Sequence, residues 1–255
     1  MSLSITFLGT GGSSGVPEIG CACAVCTSSD PRNKRTRSSI CIHKDDRNIV
    51  IDSPPEFRLQ MITHGIQRLD ALIFTHAHAD HIMGLADVRP FNFAQRSSIN
   101  IYGNEKTLEC IKKSFSFIFN APEELKRYYP RLNPQVINGR FSIDGLIFQP
   151  ITVYHARLPV LAFRFENSAY VTDVNSIPEE SFTYLEDLDL LILEAFRFEK
   201  HISHFTLDEA VETARRIGAR KTLFTHISHS LDHEKVNDHL PDGMSLAYDG
   251  LTVTP

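Results

Sequence analysis

Apolar residues gather along this chain in short runs: Ser4–Leu8, Asn48–Ile51, Ala71–Thr75, Ile147–Tyr154, Ala169–Thr172, Leu188–Glu194 and Lys221–Thr225. Their brevity and β-branched content predict buried strands, because helices would repeat their apolar positions every three or four residues. Helical periodicity is clearest from about Leu207 to Ile217. There Thr206 and Glu209 form a T-x-x-E capping box, and Gly218 stands at the C′ position. From roughly Leu85 to Gly145 the pattern changes to scattered aromatics (Phe91, Phe93, Phe115, Phe117, Tyr128) and prolines. This stretch reads as a mostly helical insertion flanking a site, within a single domain spanning residues 1–255, because no linker bounds it. Strands interleaved with helices predict sheets covered by helices.

Composition narrows the class. The chain has 255 residues, 42% hydrophobic and 22% charged, which suffices for an ordinary core without disulfides and excludes disordered and fibrous classes. Its 26 basic and 31 acidic side chains leave a formal charge of −5, which argues against a diffuse basic grip on nucleic acid. No apolar run is long enough for a membrane helix, and the start MSLSITFLGTGG lacks the pattern of a secretory leader, so a cytoplasmic protein is expected. Three of the five cysteines, Cys21, Cys23 and Cys26, crowd together at a spacing that suits a metal better than disulfides. Cys41 and Cys110 are expected to be small buried hydrophobes.

The strongest chemical signal is Thr75-His76-Ala77-His78-Ala79-Asp80-His81, directly after an apolar run. An H-x-H-x-D-H string arises by chance about 10⁻³ times in a chain of this composition. Imidazole and carboxylate are ligands common to Zn, Mn and Fe, and four of them in six residues cannot converge on one tetrahedral ion without strain, so two ions are expected. His155, Asp173 and His226 likewise stand just past apolar runs, where strand ends converge on one rim of a sheet.

Together these residues resemble the metallo-β-lactamase superfamily of dinuclear metallohydrolases, over nearly the whole chain from Gly9-Thr10-Gly11-Gly12 to Tyr248-Asp249-Gly250-Leu251. The resemblance implies an αββα sandwich of two mixed sheets flanked by helices. It places His76, His78 and His155 on one metal, Asp80, His81 and His226 on the second, and Asp173 between them. Gly20-Cys21-Ala22-Cys23-Ala24-Val25-Cys26 with Thr225-His226-Ile227-Ser228-His229 is similar to the PhnP-like cyclic phosphodiesterases. That likeness implies a structural zinc on Cys21, Cys23, Cys26 and His229 in a loop near residues 20–30, a closed set with no position for substrate. His204, in Ser203-His204-Phe205-Thr206, resembles a histidine that binds or protonates the scissile phosphate, with His201 as the alternative. A following helix N-terminus would favour an anion there. Asp52 is either an acceptor for a ligand imidazole or a turn residue.

The resemblance further implies a phosphoric diester hydrolase, with Asp80 and His204 catalytic, acting on a small cyclic diester of phosphoribosyl cyclic phosphate or cyclic nucleotide type. It would use hydroxide bridging two divalent ions, Mn or Zn with Fe or Ni as alternatives, beside the one structural Zn, in a homodimer. A tRNA 3′-processing endonuclease shares this core, but no Gly/Pro-rich arm is present and the acidic charge does not suit RNA. A noncatalytic metal- or nucleotide-binding module is a third reading, disfavoured by the complete ligand set. Gly9–Gly15 departs from a dinucleotide loop, with Ser14 at the third glycine and Pro17 where a helix should begin, and reads as a tight turn beside the metals. Arg32, Lys34, Arg35 and Arg37 read as a solvated face, with substrate phosphates as the alternative. His43, His64, His233 and His239 receive no role.

Overall fold

The apolar runs become strands that are buried on both faces, except Ile147–Tyr154, whose strand alternates buried and exposed positions. A computed structural model describes residues 3–255. The first sheet contains β1 (Ser4–Gly9), β2 (Ser39–Lys44), β3 (Arg47–Ile51), β4 (Ala71–Ile73), β5 (Ile99–Gly103) and β6 (Leu132–Val136). The second contains β7 (Phe141–Ile143), β8 (Leu146–His155), β9 (Leu158–Phe165), β10 (Ser168–Val171), β11 (Leu190–Glu194), β12 (Lys221–Thr225) and β13 (Met244–Leu246). A last strand, β14 (Thr252–Val253), returns to pair with β1, which makes two seven-stranded sheets. In the first, β3 to β6 run parallel, and in the second, β10 to β13 do.

Alternation explains the continuous apolar runs. On β3, Ile49 and Ile51 pack between the sheets with Phe148, Phe163 and Tyr170, while Val50 faces Phe57 and Met61. On β11, Leu190 and Ile192 face the first sheet, and Leu191 and Leu193 face Leu207, Ala210 and Ala214. Helices α1 (Phe57–Thr63), α2 (Ala79–Ile82), α3 (Arg89–Gln95), α4 (Glu105–Ser114) and α5 (Ser116–Phe119) follow strands of the first sheet. Helices α6 (Glu179–Phe182), α7 (Leu207–Ile217) and α8 (His233–Asn237) belong to the second half. The expected αββα sandwich is therefore observed, and α7 carries the predicted capping box, with Gly218 left-handed at its end. No helix among the described residues is long and apolar enough to cross a membrane.

Three expectations need correction. The stretch from Leu85 to Gly145 is not an insertion, because besides helices it supplies β5 and β6 to the first sheet and β7 to the second. Pro134 disguises β6, and a proline is tolerated there because β6 is an edge strand. Cys110 is exposed whereas Cys41 is buried, since α4 turns Leu108 and Ile111 inward and position 110 falls on its outer face.

The basic run is neither a solvated face nor a free phosphate grip. Arg32 pairs with Asp30, Lys34 donates to the Cys26 carbonyl at 2.9 Å, and Arg37 pairs with Glu56. Arg35 is buried, donating to Thr10 Oγ1 (2.7 Å), the Ala247 carbonyl (2.6 Å) and His233 Nδ1 (3.1 Å). Thr10 in turn donates to Asp249, which also accepts from Thr36, so one buried network ties the long β1–β2 connection to the C-terminal turn. Burial and the adjacent Arg35 cation push His233 down to about 4. A free histidine titrates near 6.5, so its neutral form stabilises the fold above that pH, and the contribution is lost as pH falls towards about 4. The urea midpoint of the wild type should therefore fall more steeply between about pH 6.5 and about 4 than that of His233→Asn. Parallel pH profiles for the two proteins would refute this role for His233.

Candidate metal centre

Strand ends deliver the site. Asp52 follows β3, His76 and His78 follow β4, Asp80 and His81 lie on α2, His155 ends β8, Asp173 follows β10, Glu194 ends β11 and His226 follows β12. The chain turns abruptly at two of these ends, with φ of 65° at Asp52 and 56° at His226, left-handed conformations that non-glycine residues rarely hold without surrounding constraint. Those turns aim both side chains across the end of the sandwich.

Donor atoms of Asp80, His81, Asp173 and His226 lie within 4.8 Å of one another, as do those of His76, His78 and Asp173. Asp173 is common to both groups, which suits a bridging carboxylate. His155 shares a further group with Asp173 and His204, and its ring centroid lies 5.1 Å from that of His78 and 5.8 Å from that of His76. His78 is exposed at the mouth, while the other ligand candidates are buried or partly buried.

The separations within the first group discriminate between hydrogen bonding and coordination. His81 Nε2 lies 3.3 Å from Asp173 and 3.4 Å from Asp80, and His226 Nε2 lies 3.3 Å from Asp173 and 3.9 Å from Asp80. Most exceed a good hydrogen bond, and they approach the edge of about 3.3–3.6 Å of a tetrahedron with metal–ligand bonds of about 2.0–2.2 Å. Nε2 of His76, His81 and His226 is buried with no hydrogen-bond partner. Three orphaned imidazole nitrogens converging on two carboxylates fit divalent ions.

Their opposite nitrogens are all occupied. His81 Nδ1 donates to Asp52 at 2.8 Å, and His76 Nδ1 lies 3.0 Å from Thr75 Oγ1, which itself donates to Asp52 at 2.8 Å. His226 Nδ1 donates to Glu194 at 3.0 Å, and His204 Nδ1 donates to the same Glu194 oxygen. His155 Nδ1 donates to the Ser203 carbonyl at 2.8 Å. Asp52 is thus the acceptor for a ligand imidazole, not a simple turn residue. Asp52 orients His81 directly and His76 through Thr75, and Glu194 orients His226, each leaving Nε2 free for a metal, while Glu194 also takes the Nδ1 hydrogen bond of His204.

Electrostatics agree. Burial alone would raise Asp173, but His226 and His81 beside it hold its carboxyl well below the usual range. Burial disfavours the His81 and His226 cations, yet Asp173 with Asp52 or Glu194 outweighs it and pushes both histidines up. This end of the sandwich demands positive charge.

A second cluster joins Cys21, Cys23, Cys26 and His229. His229 Nδ1 lies 3.2, 3.7 and 3.5 Å from the three sulfurs in chain order, close to the edge of about 3.6 Å of a Zn–S/Zn–N tetrahedron. The Cys26 backbone N–H pulls the Cys23 thiol down to about 7, towards the thiolate that binds metal.

His204 is buried, and its ring lies 4.6 Å from that of His155 and 5.0 Å from that of His226. His201 sits one ring further out, 4.8 Å from His204, with Nδ1 facing the Ser203 hydroxyl at 3.1 Å. The α7 N-terminus offers less to an anion than the sequence suggests. Its capping box and the Leu207 N–H bond to the Arg197 carbonyl already use backbone donors. The glycine-rich turn does lie beside the site, since a Cβ at Gly12 would come 2.7 Å from Phe196 and 3.5 Å from His226. Glu194 went unrecognised in the sequence, where it looks like the polar end of an apolar strand.

A Beta-lactamase superfamily domain profile matches residues 47–227. A crystal structure of a new diphosphatase from the PhnP family superposes with a TM-score of 0.93 and 41% identity, covering 99% of this chain and 97% of that one. A Zn(2+)-bound PqqB from Methylobacterium extorquens shares the fold, with a TM-score of 0.82 and 17% identity over 99% of this chain and 100% of that one. An octanoyltransferase of Porphyromonas gingivalis is 34% identical over 252 residues, 96% of this chain but 50% of that protein, so the chain spans half of that relative's length.

Protein purified without chelator should carry about three divalent ions per chain by elemental analysis. Asp52→Ala and Glu194→Ala should each weaken retention at the histidine centre by about 10–100-fold against a competing chelator. Cys23→Ser should lose a single ion. Unchanged retention in both carboxylate variants would show that their hydrogen bonds do not orient ligands.

Proposed function

We propose that this chain, which belongs to the β-lactamase superfamily and is PhnP-like in sequence and structure, is a metal-dependent phosphoric diester hydrolase acting on a small cyclic phosphodiester. One observation carries the reading. His204, a buried imidazole tied through Nδ1 to Glu194, places a donor atom within 4.8 Å of the shared Asp173 without belonging to either proposed ligand set. A bare binding module has no use for a proton carrier beside its metals.

Two divalent ions, Mn or Zn by the chemistry of the donors, supply when bound the positive charge that draws phosphate oxygens and makes water acidic. The protein's own part follows from the hydrogen bonds. Asp173 reaches both ligand groups and fixes their separation. Asp52 and Glu194 keep the ligand rings from turning. With Nδ1 committed to Glu194, His204 holds its exchangeable proton at Nε2 and hands it to the departing oxygen, while the Glu194 carboxylate balances the imidazolium. Asp80 completes the group that includes His81 and His226.

A second reading, a diphosphate as substrate, is favoured by the diphosphatase relative. The leaving group separates the two. An alkoxide must be protonated as it leaves, whereas a phosphate or a p-nitrophenolate departs as a stable anion.

With Mn or Zn supplied, the wild type should hydrolyse bis(p-nitrophenyl) phosphate and adenosine 2′,3′-cyclic phosphate. Asp80→Ala should abolish both activities. His204→Ala, with its metals retained, should lose about 10²–10⁴ in rate on the cyclic nucleotide and far less on the nitrophenyl ester. Equal losses on both substrates would remove His204 as the proton donor, and no turnover of either ester would defeat the diesterase reading.

A further inference from the structure

Two short helices that cover the first sheet are patterned the wrong way round for solvent. Helix α1 buries Gln60, whose amide donates to Thr36 Oγ1 and the Arg37 carbonyl, yet it leaves Leu59 54% and Ile62 62% exposed. Helix α3 repeats the inversion. It buries Asn92, which bonds to the backbone of Ser97 and Arg131, and leaves Phe93 57% exposed. Met83, just past α2, is 49% exposed. One exposed apolar side chain is ordinary, but monomeric proteins rarely show water a continuous patch of large ones.

This patch is continuous because α1 and α3 meet. Phe57 and Phe91 join them underneath, with ring centroids 6.4 Å apart, and residues of both helices line one groove of about 550 Å³. Met61, Ile62, Ile66, Phe91 and Ala94 make its lining apolar. Leu59 stands one turn from Ile62, and Phe93 one turn from Pro90, which also lines the groove, so each helix carries an apolar ridge beside it. Only two charged side chains line the groove among the described residues, and their signs are opposite. Arg58 lies on α1 and Asp87 in the turn Leu85–Val88 before α3, and neither side chain has a hydrogen-bond or ion-pair partner among the described residues. Arg89, which opens α3, is instead stacked over Phe93 at 4.8 Å.

The charges choose the occupant. A lipid surface or a polyanion calls for several cations around an apolar face, and the groove offers one unpaired cation and one unpaired anion. One free charge of each sign, on a groove with apolar ridges beside it, is the pattern of an isologous contact, in which residue i meets residue j and j meets i. We infer that the α1–α3 face is where a second copy of this chain docks. A two-fold axis lays the Leu59–Ile62 ridge of one copy in the groove of the other and sets Arg58 opposite the partner's Asp87, twice per dimer. Leu59, Ile62, Met83 and Phe93 of both copies supply the apolar centre of the contact, and the two ion pairs fix its register. The contact owes nothing to the reaction at the metal centre.

Sedimentation equilibrium of the metal-loaded full chain tests this. The wild type should dimerise with a dissociation constant at or below about 1 μM. Ile62→Asp combined with Phe93→Asp should raise that constant by about 100-fold or more, with circular dichroism and metal content unchanged. Arg58→Asp and Asp87→Arg should each raise it about tenfold, because symmetry makes each change place two like-charged pairs in the contact, and the double reversal R58D/D87R should return it to within about threefold of the wild type. Arg58 and Asp87 hold nothing in their own chain, so the reversal set decides the matter if the apolar variant loses its fold. A wild type still monomeric at about 100 μM would overturn the assignment, and its binding to phosphatidylserine vesicles in that state would give the face to lipid. A dimer indifferent to the apolar changes, or a double reversal no better than the single ones, would equally overturn it.

Discussion

Four carboxylates crowd one end of this sandwich, and three of them, Asp52, Asp173 and Glu194, are no more than 1% exposed. An isolated buried carboxylate costs several kcal/mol or more, so such a group persists only when cations and donors surround it. Six histidines stand around these four acids, yet the Nε2 atoms of His76, His81 and His226 are buried without hydrogen-bond partners. Two divalent ions carry four positive charges and would neutralise Asp52, Asp80, Asp173 and Glu194 together. The left-handed turns at Asp52 and His226 and the outer hydrogen bonds accompany this concentration of negative charge at one end of the molecule.

Much of this was legible in the chain, for identifiable reasons. Runs such as LLILE and KTLFT are apolar on both faces because parallel strands are covered on both sides, and their length marks them as strands. The H-x-H-x-D-H string and the cysteine triplet are local in sequence, so their chemistry shows without a fold. What failed to show is whatever depends on distance or disguise. Strand β9 contains Pro159 and Arg164, and β8 contains Pro150, which falls beyond the reach of β7 and so loses no ladder partner. Strand β2 carries its signal in two isoleucines flanked by Ser39, Cys41 and His43, and β5 alternates Ile99 and Ile101 with polar neighbours. Glu194 is invisible by itself, since a glutamate closing a strand is usually exposed, and only its complete burial beneath His204 and His226 reveals its work.

The basic run shows how charge in a sequence differs from charge in a fold. Arg32, Lys34, Arg35 and Arg37 look like a surface that could greet phosphates. In the structure each is spent on holding the β1–β2 connection in place, and the Lys34 bond to the Cys26 carbonyl anchors the cysteine loop directly. On the proposed function, positive potential for a phosphoester would then come from the centre itself. That division is physically sensible, because fixed arginines near the mouth would hold product as firmly as substrate, whereas charge concentrated at the reacting atoms acts where the transition state differs most from the ground state.

The centre also binds the architecture that supports it. His76, His78, Asp80 and His81 come from the first sheet, whereas Asp173, His155 and His226 come from the second, and both donor groups mix the two sources. Asp52 and Glu194 repeat the division one layer out, one from each sheet. Ions placed there would cross-link two sheets whose shared interior is apolar. Their binding energy becomes available to folding, since the unfolded chain cannot assemble ligands from strand ends so far apart in sequence. Tight packing of Phe148, Phe163 and Tyr170 holds the strand ends in register for the ligands. The ligands, once loaded, hold the strand ends together in return. Metal affinity and core packing are therefore coupled properties of one end of the molecule, and a core substitution distant from every ligand can be felt as a loss of metal.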